Sequence, residues 1–378
     1  MPTELCRTLD MTLPLFAFTR SPEVVVEVSK AGGMGVQAAI GFSLDELRTC
    51  LQYIEAHVGG RPYGVDVVMP SGFVLPDGTK ADEGASMALA EDYHKMLPAE
   101  HVAFLNGLLE RYGVPPLPEG ATAALAMHNW SDQVSRKQVE LALNFPIRLI
   151  ANALGPPPRD IIELCHAKGV KVAALVGSKK HAQKQVEQGV DVIVAQGTEA
   201  GGHCGEISTL VLVPEVVEAV APVPVVAAGG IGSGQQLAAV LALGAQGGWA
   251  GSIWLTTEEG THGGAVTRKL LAATSADTVR SRSISGKPAR QLVTTWSKAW
   301  DDPSGPQALP MPLQYLLTAE AVARIHRHAE QTGNDELLTS PIGQIVGRMN
   351  RVRPAREVVA EIKAQLLEAQ RLIAGLSF

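Results

Sequence analysis

The chain has 378 residues, 46% of them hydrophobic, and a net charge of −6. That much apolar material suits one barrel of about 250 residues plus a smaller appendage, and no basic run or Arg/Lys stripe points to nucleic acid. No apolar stretch reaches the roughly 18 residues of a membrane span, and MPTELCRTLD lacks the charged and apolar regions of a secretory signal, so a cytoplasmic protein is expected.

Eight strands are predicted in chain order: Leu13–Phe18, Gly33–Ala39, Tyr63–Met69, Ile147–Ala153, Val170–Val176, Asp191–Ala195, Val223–Ala228 and Trp249–Leu255. The fifth to seventh are nearly pure Val, Ala and Ile, as parallel strands buried on both faces are. Helices fall between them at Pro22–Lys30, Leu44–His57, Asp132–Leu143, Pro158–Lys168, Lys179–Gln188, Pro214–Val220 and Gly234–Leu243. Pro22 and Pro214 read as first-turn prolines, and Gly169, Gly189 and Gly244 as residues that end helices. This alternation predicts an α/β fold, a (β/α)8 TIM barrel built from residues 1–70 and 130–276.

Two regions break the rhythm. Residues 71–129, Ser71 to Asn129, read as a long insertion after strand three at the barrel mouth, with helical stretches at Met87–Leu97 and Ala99–Tyr112. Residues 277–378 read as a smaller, mainly helical C-terminal domain covering the site. Its aromatics Trp296, Trp300 and Tyr315 either roof that site or pack between domains.

The four cysteines lie far apart and form no CxxC, which fits reduced thiols rather than disulfides or zinc. The ten histidines form no HExxH, and His326 and His328 fall on different faces of a helix, so no metal is expected.

Glycines cluster at Lys30-Ala-Gly-Gly-Met-Gly35, Glu199-Ala-Gly-Gly-His-Cys-Gly205 and Ala228-Gly-Gly-Ile-Gly-Ser-Gly234. The third cluster ends strand seven and opens a helix, where N–H groups and the helix dipole attract anions. Strand eight adds Gly251 and the Ser252 hydroxyl. Barrels often hold a phosphate between these two loops, although tight turns alone also use such glycines. The dinucleotide fingerprint is incomplete, because its third glycine position is Gln235. His203, just past strand six and flanked by glycine, can carry a proton near neutral pH or be a structural histidine bonded to a backbone carbonyl. Glu199 either pairs with it or caps a turn. Cys204 has no identifiable base and reads as a filler thiol. Gln196 either bonds a polyol chain or satisfies backbone.

PEVVVEVSKAGGMG, VDVIVAQGTEAGGHCGE and PVVAAGGIGSGQQLAAVLALGAQGGWAGSIWLTTEE resemble the nitronate monooxygenase family, as does SPIGQIVG near the end. That family includes FMN-dependent enoyl-ACP reductases and NADH:quinone reductases. The resemblance implies FMN, with Gly229, Gly230, Gly251 and Ser252 on its phosphate and Gln196, Gly201 and Gly202 along the ribityl chain and ring. It implies that His203 is the catalytic histidine. Ala17 and Phe18 stand where the family has a Pro-Met pair at the end of strand one, and Asp66 stands where it has Asn. A carboxylate at residue 66 would repel a flavin unless protonated or turned away. Ile253 replaces a basic or polar residue.

The resemblance thus implies an FMN-dependent oxidoreductase that converts alkyl nitronates and dioxygen to carbonyl compound and nitrite. The alternative is an NAD(P)H-dependent reductase of a quinone or enoyl thioester. A colourless barrel enzyme acting on a sugar phosphate, or a decayed flavin-binding protein, are the remaining readings. The expected partners are a small-molecule substrate with dioxygen or NAD(P)H, neither nucleic acid nor membrane, and the oligomeric state is open.

Overall fold

A computed structural model describes residues 2–69, 96–118 and 132–376. Eight parallel strands close into a barrel. They are β1 (Leu15–Thr19), β2 (Met34–Ala38), β3 (Tyr63–Val68), β4 (Leu149–Ala153), β5 (Lys171–Val176), β6 (Val192–Gln196), β8 (Val225–Ala228) and β9 (Gly247–Ala250). A short β7 (Gly202–His203) stands outside the barrel and joins β10 (Thr278–Ser281) and β11 (Ala289–Leu292) in a separate sheet, ordered β10-β11-β7. The predicted (β/α)8 architecture is the observed one.

Helix α1 (Glu4–Thr8) plugs one end of the barrel. Its Leu5 and Cys6, with Leu9 and Met11, pack into the same interior cluster as Phe16, Met34, Leu149 and Trp249. Phe16 and Trp249 stack there with ring centroids 5.8 Å apart. The open end is therefore the C-terminal end of the strands, where barrel active sites lie.

The surrounding helices keep most of their predicted bounds. α2 (Pro22–Lys30) starts at a Ser21 cap with Pro22 in its first turn, and α3 (Leu44–His57) starts with a capping box between Ser43 and Glu46. α4 (Ala99–Arg111) is the described part of the expected insertion; most of the helix predicted at 87–97 lies outside the described residues. α5 (Asp132–Ala142), α6 (Arg159–Ala167), α7 (Lys179–Glu187) and α9 (Gly234–Ala242) follow their expected positions. Gly169, Gly189 and Gly244 end their helices at φ +70°, +98° and +95°.

Two boundaries need correction. α8 runs Thr209–Val220, so Pro214 lies inside it and not in its first turn. Ser208 is the cap residue, and the Glu199 carboxylate accepts from the Thr209 N–H at 3.0 Å, anchoring a start that local sequence does not reveal. The eighth strand stops at Ala250 instead of Leu255. The Trp254 indole donates back to the Ala250 carbonyl at 2.8 Å, which curls Ser252–Thr256 into a 3-10 helix.

After α10 (Gly264–Ala272) come β10, β11, α11 (Thr295–Asp301) and α12 (Leu313–Thr332). The last helix, α13 (Ala355–Ala374), returns to the barrel and packs against α9 and α2. It thereby fills the eighth place in the helical ring. Trp296 and Trp300 are fully buried, and the Trp300 ring meets Phe104 of α4 edge-on with centroids 4.9 Å apart. Of the two readings for these tryptophans, packing is the observed one.

Candidate active site at the barrel mouth

Strand alternation decides which side chains face the open end. Tyr63, Val65 and Val67 of β3 belong to the layer between strands and helices, so Asp66 faces the barrel interior. Val192 and Val194 of β6 face inward, and so does Gln196 at the strand's end. On β1, Phe16 and Phe18 are the inward residues, whereas Ala17 is fully buried on the helix side. Phe18, Asp66 and Gln196 therefore share the inner wall, and the Ala17 side chain is set apart from them. Ala38 and Ala151 flank Asp66 in the ladder, and Ala173 follows Ala151. These short side chains leave a shallow apolar bed, which suits a planar ring.

Above this bed lie three loops. After β8, Gly229 and Gly230 take φ +102° and +71°. A Cβ at residue 230 would meet only the Glu199 side chain, no closer than 3.6 Å, so Gly230 faces room. Among the described residues, the Gly230 and Ile231 N–H groups find no acceptor. The expectation that the opening of α9 supplies the anion donors is revised, because several are taken. Gln236 accepts from Gly232 N–H at 2.9 Å, Gln365 of α13 from Gly234 N–H at 3.0 Å, and Ser233 from Gln236 N–H at 3.2 Å. After β9 come Gly251 and Ser252, whose Oγ accepts from the Gly343 N–H at 2.9 Å and keeps its own proton to donate. Unused N–H groups and a hydroxyl beside an apolar bed fit a phosphate carried by a planar heterocycle.

The loop after β6 is held from two sides. Thr209 Oγ1 donates to Glu199 Oε2 at 2.8 Å, while Gln344 N–H donates to the Glu199 carbonyl at 2.9 Å. Glu199 thus serves the start of α8 and does not pair with His203. Arg290 Nε donates to the Thr198 carbonyl at 2.7 Å, and the Cys204 thiol donates to the same oxygen at 3.5 Å. A Cβ on Gly201 would fall 2.7 Å from Gly343 N, so that glycine admits the crossing C-terminal segment. Gly202, at φ +74°, has open space before it.

His203 pairs with Ala289 of β11, and its Nε2 lies 2.7 Å from Ser285 Oγ. Burial and the nearby Lys287 charge push the imidazole down to about 4, so it is neutral at pH 7. Ser285 is 3% exposed and sits 82 positions further along, beside the left-handed Gly286. Nothing in the local sequence links it to His203; only the pairing of β7 with β11 brings them together. The same pairing brings in Arg290, whereas Thr209 meets Glu199 only through the folding back of the loop after β6.

The sequence profile of nitronate monooxygenases matches residues 14–365. The chain belongs to the nitronate monooxygenase family. It is 46% identical over its whole length to the Mycobacterium tuberculosis protein Rv1533, a monooxygenase by name, and covers 99% of it. A Staphylococcus haemolyticus protein named for nitronate monooxygenase activity is 27% identical over 88% of both chains. Among solved structures, the nitroalkane oxidase of Streptomyces ansochromogenes superposes with a TM-score of 0.77 at 28% identity, over 97% of this chain and 99% of that one. The chain is therefore an oxidoreductase. Among the described residues no helix is long and apolar enough to cross a membrane, and no cluster of metal-ligating side chains occurs.

Proposed function

We propose that the protein binds FMN and oxidises alkyl nitronates with dioxygen to a carbonyl compound and nitrite. The observation that carries this reading is the pair of unused N–H groups at Gly230 and Ile231 beside the Ser252 hydroxyl, at the open end of the barrel. They would hold the cofactor phosphate, with Gly251 allowing its close approach and Gly229, packed against Thr209, fixing the left-handed turn that presents the Gly230 N–H. Phe18, Gln196 and Asp66 would border the ring. Bound FMN would supply the redox chemistry between substrate and dioxygen. Likeness to the nitroalkane oxidase supports a nitro compound as substrate.

His203 serves the anion better than it serves the neutral nitroalkane. An imidazole whose value lies at about 4 is a weak base for a carbon acid. In the Nδ1–H tautomer, with Nε2 accepting from the Ser285 hydroxyl, the neutral ring would donate to the negative oxygens of a nitronate and Ser285 would hold it in place. The sign follows: the imidazole protonates only as pH falls towards about 4, so activity on preformed nitronates should show no inflection near 6.5. His203→Asn should retain the yellow cofactor and lose roughly tenfold to a hundredfold in kcat/KM for nitronates, the scale of one hydrogen bond to a charged group. Steady-state profiles from pH 5 to 9 check both points.

The purified protein should be yellow, release FMN and not FAD on denaturation, and form nitrite from a nitronate under air. Rapid anaerobic bleaching by NADH or NADPH, with no response to nitronates, would replace this reading with a quinone or enoyl thioester reductase. A colourless protein that takes up no flavin would end both.

A further inference from the structure

Asp66 is 3% exposed, and its Oδ2 has no hydrogen-bond partner among the described residues. It projects from β3 into the barrel interior between Ala38 and Ala151, whose short side chains leave it the polar group of that stretch of wall. Among the described residues no cation pairs with it, and burial raises its carboxyl well above the usual range. An ionised carboxylate in this position would have neither water nor a partner to replace its hydration. The acid form needs neither, and it has an O–H to give.

We propose that Asp66 is carried as a neutral carboxylic acid and donates its O–H to the ring edge of the flavin, at a carbonyl oxygen. The proposal rests on the FMN reading given above. Electron density on the ring rises on reduction, so a donor there strengthens its bond and favours the reduced form, whereas a carboxylate would oppose it. The same carboxyl that looks repulsive on paper thus becomes a positioning and tuning group. An amide has the same shape and also donates, so Asp66→Asn preserves the contact. Leucine has similar bulk and no donor, so Asp66→Leu removes it.

Two measurements decide the matter. Infrared difference spectra of wild type against Asp66→Asn, with and without flavin, should show the carbonyl stretch of a protonated carboxyl at pH 7 in wild type only. Asp66→Asn should bind FMN within about threefold of wild type with an unchanged midpoint potential. Asp66→Leu should bind roughly tenfold more weakly, as expected for one lost hydrogen bond, with a lower potential. The proposal is overturned if the carboxyl band is missing at pH 7, or if Asp66→Asn raises the potential and tightens FMN binding, as removal of a negative charge would. The infrared comparison and the asparagine variant suffice if the leucine variant does not fold. If wild type takes up no flavin, the FMN reading fails and the donor role falls with it. If wild type binds flavin but lacks the band, the donor role alone fails.

Discussion

Two glycine clusters that look alike in sequence do opposite work. In residues 32–35, at the start of β2, glycine makes room for the protein itself. A Cβ on Gly35 would lie 2.5 Å from Val25 Cα, and one on Gly33 would lie 2.7 Å from the Leu15 carbonyl. At the end of β8, Gly229 still makes room for Thr209, whose Oγ1 a Cβ would approach to 2.8 Å, but Gly230 does not: its Cβ would meet nothing closer than 3.6 Å, and its N–H stays uncovered. The first cluster lies at the end of the barrel plugged by α1 and the second at the open end. A glycine pair is therefore informative only when its position along the strand is known. Crowding on one side and unsatisfied donors on the other separate a packing glycine from a binding one.

Substitution can break this contrast, and the expected effects fall in order. Gly35→Val should be the most damaging, because the obstacle is helix backbone and cannot rotate away. It should cost more than about 3 kcal/mol, read as a large fall in Tm or as insoluble protein. Gly230→Glu should leave most of the fold in place, at roughly 1–2 kcal/mol for a side chain in the left-handed region. It should nevertheless weaken FMN binding by roughly a hundredfold or more, because a carboxylate would sit beside the phosphate. Fluorescence titration of the apoprotein with FMN measures this. Ser252→Ala should be mildest: loss of the 2.9 Å bond from Gly343 costs about 1 kcal/mol, with FMN binding reduced less than tenfold. If Gly230→Glu unfolded the chain as Gly35→Val does, the two clusters would not differ in the way described.

Much of the barrel was legible because parallel strands covered by helices are apolar along their whole length and each is followed by an amphipathic helix. The same property hid the inward and outward phase. Leu-Phe-Ala-Phe in β1 is apolar on both faces, so nothing local says that Ala17 faces the helices. The end of strand eight was missed because an indole-to-carbonyl bond, not propensity, stops it. His203 stood out between glycines, but its partner Ser285 arrives through a strand pairing across 82 positions. Asp66 read as a charge out of place, and only the fold shows that it is buried, with no partner for its Oδ2 among the described residues.

The position of α13 also sets a schedule. β9 must pair with β1 to close the barrel, yet the helix that completes the ring beside it begins about a hundred residues later. On a ribosome adding about 5–20 residues per second, the nascent barrel would wait roughly 5–20 seconds for that helix. During that interval the faces of α2 and α9 that α13 covers stay open to water, and the tight approach at Gly234, where a Cβ would fall 2.1 Å from Leu366 N, has not yet formed. The chain is thus most exposed to aggregation and proteolysis late in its synthesis, when nearly all of its barrel already exists.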